Sequence, residues 1–292
     1  MFPHSRRIHG IGISNDPARQ LCRRWCSHTG HLRPLATQRI SAVGALALSS
    51  PGLAICCGVL GHPFIAVMSA GNSRERARMM AAPGAEVVLV PKAPGGTPGQ
   101  VTGSDLSLVE AEAQRITAIR DAFRADQFRH PGNPAAHEAG TAAELWMQSA
   151  GIITAFCDFA GSGGTLGRVA RALTPRGVRC YAVEPEGAEA LAGGDVSRPD
   201  HPMQGGGYPI ADLTHLSGAP LAGYLTVSSN EARHYAYLLT RVEGIFGGYS
   251  AGANLAAAIK LLQGKEVGGT IAFVVRDSGL KYLSTDLWED IT

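Results

Sequence analysis

An apolar run that ends in a cluster of glycines constrains this chain more than any other feature. Residues 151–160 read Gly-Ile-Ile-Thr-Ala-Phe-Cys-Asp-Phe-Ala, and Gly161-Ser162-Gly163-Gly164-Thr165 follow directly. The stretch Leu166 to Leu173 then reads as a helix. A buried strand, a glycine turn and a helix start form a geometry that gathers anions. Glycine lets backbone N–H groups crowd round a phosphate without Cβ clashes, and the helix N-terminus adds unsatisfied donors and partial positive charge. The same pattern also serves as an ordinary tight strand-to-helix connection, so the loop alone does not decide.

The rest of the chain repeats the strand–helix rhythm. Upstream, the pattern predicts a buried strand at Pro63–Met68 and a helix over Ser73–Ala82, with Ser73 as N-cap and Gly84 at its end. A strand over Glu86–Pro91, a Gly/Pro-rich loop over Lys92–Gly103 and a long helix over Ser104–Ala122 follow. A short strand is expected at Phe123–Phe128 and a helix at Thr141–Ser149, ending in Gly151. Downstream, strands are predicted at Arg179–Glu184, Tyr224–Val227 and Thr270–Val275. A glycine-rich loop spans His201–Tyr208. One helix starts at the capping box Ser228–Glu231 and another runs from Ser250 to Leu262. Such alternation implies an α/β fold of two doubly wound parallel-sheet domains, with ligands at the carboxyl ends of strands. The expected division is residues 41–148 for the smaller domain and 149–292 for the larger, which carries the glycine loop.

Composition excludes several function classes. A chain of 292 residues, 45% hydrophobic and 17% charged, builds an ordinary globular core. A formal charge of +2 and no basic stripe argue against nucleic-acid binding. The richest apolar segment, 42–59, is interrupted at Ser49-Ser50-Pro51-Gly52, so no membrane span is expected. Six cysteines make no disulfide framework for a protein of this size, which points to the cytoplasm. Cys22, Cys26 and His28 look like part of a metal site, but no second cluster completes it and no metal is expected. Residues 1–40 stand apart, with seven arginines, no lysine and one acid, Asp16. They read as a transit peptide, as a disordered basic arm, or as sequence never selected to fold here; the last, from a misassigned start or a frame slip, is favoured. They are expected to pack into neither domain.

Four motifs occur in order at compatible spacings: Gly161–Thr165, Gln204-Gly205-Gly206-Gly207, Ser250-Ala251-Gly252-Ala253, and Asp277-Ser278-Gly279-Leu280-Lys281-Tyr282-Leu283-Ser284-Thr285. Upstream stand Gln127-Phe128, Asn133-Pro134, His137 and Glu144-Leu145-Trp146. Over residues 54–290 this set resembles the cysteine synthase branch of fold type II pyridoxal-phosphate enzymes, which also includes cystathionine β-synthase and the tryptophan synthase β chain. The resemblance implies pyridoxal 5′-phosphate as cofactor, a small amino-acid substrate and a homodimer. It also implies that Gly161, Ser162, Gly163, Gly164 and Thr165 hold the cofactor phosphate, and that Ser250 hydrogen-bonds the pyridine nitrogen. Gln127 would bind the substrate carboxylate, and Gly205 and Gly206 would line the substrate mouth. Plainer readings stand beside these: Ser250 as a helix N-cap, Gln127 as a surface amide, Asp277 and Ser278 as a strand-end turn.

The sequence also departs from that family. Its Schiff-base lysine lies in an Asn-Pro-x-x-Ser-x-Lys-Asp-Arg segment near the N-terminus. The lysines here are Lys92, Lys260, Lys265 and Lys281, none in such a segment. The family's Thr-Ser-Gly-Asn-Thr-Gly loop is replaced by Ser49-Ser50-Pro51-Gly52, where the Asn is gone and Pro51 removes a donor. Gly140-Thr141-Ala142-Ala143 and His130 are smaller departures. The expectation is a cysteine synthase-like protein for β-replacement on O-acetylserine or a similar serine derivative. It lacks a catalytic lysine, is impaired, and binds its cofactor weakly and non-covalently. The alternatives are a non-catalytic relative that binds a ligand or partner protein, and a serine or threonine dehydratase.

Overall fold

Among the described residues, two four-stranded sheets, each wholly parallel, organise the chain. The computed structural model describes residues 42–45, 50–95 and 99–291; the expectation for residues 1–40 lies outside the described residues. The first sheet is built from β1 (Ala42–Ala45), α1 (Ser50–Leu60), β2 (Phe64–Ser69), α2 (Arg74–Ala81), β3 (Glu86–Val90), α3 (Gly103–Ile119) and β4 (Phe123–Ala125), in strand order β3-β2-β1-β4. Side chains alternate across a strand, so β2 feeds two cores. Phe64, Ala66 and Met68 pack with Leu53, Ala54, Cys57 and Met80 on one face. Ile65 and Val67 pack with Val109, Ala113 and Ile116 on the other. Every residue of β2 is buried, as a strand covered on both faces requires.

A connection of three helical pieces leads to the second sheet: α4 (Gly132–Ala136), a π turn (His137–Ala142) and α5 (Ala143–Gln148). The second sheet follows as β5 (Ala155–Phe159), α6 (Gly164–Leu173), β6 (Arg179–Pro185), β7 (Leu221–Val227), α7 (Ser229–Glu243), α8 (Tyr249–Gln263) and β8 (Ile271–Phe273), in order β7-β6-β5-β8. Phe156, Cys180 and Ala182 face α6 through Leu166, Val169 and Leu173. Cys157, Phe159, Tyr181 and Val183 face the alanines of α7 and α8. Those two helices cross at Gly252, where a Cβ would sit 2.7 Å from the backbone nitrogen of Ala236. No helix among the described residues is long and apolar enough to cross a membrane.

The expected elements appear, with instructive shifts. The Ser228–Glu231 capping box forms, the serine accepting from the Glu231 N–H and the carboxylate from the Ser228 N–H. A second box, Thr102 with Asp105, starts α3 earlier than expected. Ser73 is the N-cap residue of α2, but its hydroxyl donates to the Lys281 carbonyl, 2.5 Å away, instead of capping. The helix expected at Thr141–Ser149 begins at Gly132, because the chain bridges the interval with the π turn rather than a loop. β4 stops at Ala125, where the Asp126 side chain turns the backbone by accepting from the Phe128 N–H. β8 is short because the Val274 carbonyl accepts from Asn254 instead of a neighbouring strand. Ser50-Pro51-Gly52 form the first turn of α1, a place where proline is tolerated since its N–H would lack a partner anyway.

A buried ionic cluster joins the two sheets. Arg76 of α2 is wholly buried and donates to the Tyr282 hydroxyl at 2.6 Å, with Asp277 Oδ2 at 3.4 Å. Tyr282 in turn donates to Asp277 at 2.8 Å. Burial opposes the arginine charge, but Tyr282 and Asp277 hold its pKa above the ordinary value. Removing one partner of a buried pair strands the other charge. Arg76→Ala should therefore lower unfolding stability by about 3–5 kcal/mol, and Tyr282→Phe by about 1.5–3 kcal/mol. Urea unfolding at neutral pH measures both; an Arg76→Ala midpoint equal to that of the parent would show that the cluster adds nothing.

Candidate functional site

β5 lies between β6 and β8, so the loop after it opens at a point where connections leave in opposite directions. The strand ends at Phe159, and Gly163 turns the chain with φ +80 before α6 starts at Gly164. That left-handed conformation favours glycine, and a Cβ there would also lie 2.7 Å from Leu216 Cγ. A Cβ on Gly164 would meet Asn133 Oδ1 at 2.5 Å. The first N–H groups of α6 have no partner within the helix, so the loop presents donors and the positive end of the helix dipole.

The connection before β5 braces this loop from one side. Asn133 Nδ2 donates to the Gln127 carbonyl at 2.6 Å and to Ser162 Oγ at 2.9 Å. His215 Nε2 lies 3.0 Å from the same carbonyl. His137, in the π turn, sits between Thr141 Oγ1 at 3.0 Å and Thr165 Oγ1 at 3.2 Å. Burial, then the positive charge of Arg276, then His215 push the His137 pKa down to about 3, so the imidazole is neutral. The second glycine loop lies on the other side. Gly205 O is 3.1 Å, and Gly206 Cα 4.0 Å, from the position a Gly161 Cβ would take. The Gly207 N–H donates to the Ala160 carbonyl at 2.7 Å.

Ser250 is the second residue of α8 and is buried, and its hydroxyl has no hydrogen-bond partner among the described residues. Four residues on, Asn254 accepts from the Phe159 N–H at 2.6 Å and donates to the Val274 carbonyl at 3.0 Å. Residues four apart share a helix face, about 5.4 Å along the axis. With Asn254 clamped at the last residue of β5, Ser250 stands one helical turn before it, at the start of α8, which is itself tied to the segment after β8. It is no side-chain N-cap: Gly248 occupies that place.

The structure thus gathers Gly161–Thr165, Gln127, Gly205, Gly206 and Ser250 around the carboxyl end of β5. Gln127 takes part through its carbonyl. Asn254, Asp158 and Arg276 were not anticipated. A lone amide four residues after Ser250 in an alanine-rich helix was the available signal for Asn254. Asp158 and Arg276 meet only through the pairing of distant segments.

His137 also makes acid stability specific to this site. Its pKa falls from 6.5 to about 3 on folding, so the unfolded chain takes up a proton first as pH drops. The stabilisation is complete above pH 6.5 and is lost progressively toward pH 3. His137→Asn should flatten the loss of stability across that window in acid unfolding titrations. Equal slopes in parent and variant would refute the assignment.

Comparison with known proteins identifies the arrangement. A family model described as pyridoxal-phosphate dependent enzyme matches residues 50–277. Cysteine synthase 3 of Caenorhabditis elegans is 33% identical over 237 residues, 80% of this chain and 66% of that protein. A cysteine synthase of Staphylococcus aureus is 32% identical over 241 residues, 81% of this chain and 73% of that protein. Among solved structures, O-ureido-L-serine synthase superposes with a TM-score of 0.81 at 28% identity, over 94% of this chain and 84% of that one. O-acetylserine-dependent cystathionine β-synthase from Helicobacter pylori gives 0.81 at 26% identity, over 93% and 85%. The chain therefore belongs to the fold type II family of pyridoxal-phosphate-dependent enzymes, among relatives that include cysteine synthases.

Proposed function

We propose that the chain is a cysteine synthase-type protein that holds pyridoxal phosphate between two lobes, residues 41–148 and 149–292, without attaching it covalently. The observation that carries the reading is the Ser250 hydroxyl, buried and unpartnered one helical turn above the Asn254 clamp. Buried polar atoms without partners are rare and call for an explanation. A pyridine nitrogen supplies one, and the glycine loop supplies donors for a phosphate on the same ligand. The residues present therefore fit the cofactor's two ends.

When bound, the cofactor withdraws electrons from the substrate α-carbon. The chain's own residues do the rest. Backbone donors at Gly161–Thr165 hold the phosphate, and Thr165 is itself held by neutral His137. Ser250 offers the ring nitrogen a hydrogen bond without a charge, which moderates the electron sink and suits replacement at the β-carbon. The side-chain amide of Gln127 would take the substrate carboxylate, and Gly205 and Gly206 would leave the mouth free of side chains. By the same family logic the protein is a homodimer of the cytoplasm acting on a small amino acid.

Proton movement is where this chain falls short. Lys92 donates to the Gln100 carbonyl and pairs with Asp105. Lys260 is bonded to the Thr226 carbonyl and Glu231. Lys265 lies beside Gly223 on β7. Lys281 sits near Asp277 and Arg76, where burial lowers its pKa. His137 has both ring nitrogens engaged and stays neutral, so it is no substitute base. The second reading, a relative that binds a ligand or partner protein without catalysis, rests on this same lack.

Gly163→Val should abolish pyridoxal phosphate binding, since it strains the backbone and collides with Leu216. Ser250→Ala should weaken it by roughly 2- to 12-fold, the worth of one neutral hydrogen bond, and leave stability in the absence of the cofactor unchanged. Spectroscopic titration measures both, and unaltered binding by Gly163→Val would place the site elsewhere. Turnover of O-acetylserine and sulfide should fall short of intact relatives by about 10²–10⁴-fold or more, the cost of losing a general base. Borohydride should fix no cofactor to the protein. Robust turnover that disappears when any one of Lys92, Lys260, Lys265 or Lys281 is replaced would identify a catalytic lysine and overturn the reading.

A further inference from the structure

Asp158 stands in an unexpected place. It is the fourth residue of β5, wholly buried, and only three residues before Gly161. A carboxylate at the mouth of an anion-binding loop repels the ligand that the loop is built to hold. Desolvation raises the Asp158 pKa, and the charge and hydrogen bonds of Arg276 and a hydrogen bond to Asn254 offset only part of that rise.

The way Arg276 meets this carboxylate is informative. Its Nε donates to Asp158 Oδ1 at 3.2 Å and its Nη2 donates to Oδ2. Pairing through those two nitrogens uses one edge of a planar, five-donor group and turns Nη1 the other way. Nη1 lies 3.8 Å from the position that a Cβ on Gly161 would take. The side chain is 18% exposed, partly screened and still reachable. Its charge is also felt by His137, which is bonded to Thr165 at the far end of the loop. On the other side, Asp277 follows Arg276 in sequence and its carbonyl accepts from the Gly248 N–H, two residues before the unpartnered Ser250 hydroxyl. The guanidinium therefore faces the loop, while the backbone just after it is tied to the start of α8.

We propose that Arg276 is an additional ligand for the cofactor phosphate. Asp158 anchors one edge of the guanidinium, and the other edge faces Gly161 and closes the loop with a charged donor. The pair also keeps Asp158 from repelling the phosphate. In a chain with no lysine positioned to attach the cofactor, this ionic contact takes over part of its retention. The inference rests on the reading of Gly161–Thr165 as the phosphate loop.

Calorimetric titration tests it with three probes: pyridoxal phosphate, pyridoxal, which has the same ring without the phosphate, and inorganic phosphate. The proteins are the parent and the double variant D158N/R276Q, in which amides replace both charges and no buried carboxylate is left alone. The folded double variant should lose about ten-fold or more in affinity for pyridoxal phosphate, the effect of one charge-assisted hydrogen bond. It should weaken toward inorganic phosphate as well and keep its affinity for pyridoxal. Equal affinity for pyridoxal phosphate in parent and variant overturns the proposal. So does an equal loss for pyridoxal, which would put Arg276 on the ring. A second measurement needs no variant: phenylglyoxal labelling of the parent, read at Arg276 by mass spectrometry. Protection by pyridoxal phosphate and by inorganic phosphate, but not by pyridoxal, is the expected result. A parent that binds pyridoxal phosphate while Arg276 labels at an unchanged rate overturns this inference and leaves the cofactor reading standing. A parent that binds neither phosphate ligand overturns both.

Discussion

The wholly buried guanidinium of Arg76 is the constraint on which the site depends. A charge removed from water must be matched closely or it destabilises the fold. Here the match comes from Asp277 and Tyr282, about two hundred residues away in sequence. To meet it, the segment after β8 has to lie against α2. Ser73, whose hydroxyl donates to the Lys281 carbonyl, and Glu75, which accepts from Ser284, extend the same seam. Arg276 immediately precedes Asp277, so the packing that satisfies Arg76 also sets where Arg276 emerges beside Asp158 and Gly161. A structural ion cluster thereby positions Arg276 beside the glycine loop.

Around the carboxyl end of β5 the protein relies on backbone more than on side chains. Gly163 supplies a left-handed turn, and Gly205 and Gly206 admit a second strand of backbone against Gly161. Amides then hold these glycine segments in place. Asn254 reads the last residue of β5 and the carbonyl after β8, and Asn133 ties Gln127 to Ser162. Each amide offers both donors and acceptors, so one residue fixes two segments at once. Neutral His137 does the same for Thr141 and Thr165, and its burial keeps it neutral through physiological pH. The result is a cross-braced frame around the glycine loop.

In the proposed reading, what this frame lacks is a proton carrier. Binding and chemistry draw on different parts of the chain. The phosphate loop, Ser250 and the C-terminal motif all belong to or pack on the second sheet, whereas the lysine of related enzymes comes from a segment near the N-terminus. Under that reading, retaining the first set without the second leaves a protein equipped to bind a cofactor and poorly equipped to turn over a substrate. The Asp158–Arg276 pair matters under that reading, because a ligand held without a covalent bond is kept only by the contacts around it.

The sequence by itself determined the local structure and the family resemblance. Period-two and period-3.6 patterns placed β2, β3, β5, β6, α7 and α8 to within a few residues, since burial on both faces leaves continuous apolar runs. The Ser228–Glu231 box and the turn at Gly163 are local chemistry and were legible as such. Gly161–Thr165, Gly205, Gly206, Ser250 and Gln127 could be picked out because their motifs are short and ordered. Tertiary structure alone decided the remainder. β1 and α1 carry no amphipathic signal, because β1 lies inside its sheet and the start of α1 is buried. The π turn that aims His137 at Thr165 has no period to detect. The partnerships Arg76–Asp277, Arg276–Asp158 and Asn254–Phe159 each join residues 95 or more positions apart. Nothing in the composition of either segment specifies such a pairing; it follows from how two sheets and their covering helices satisfy buried polar groups that have no access to water.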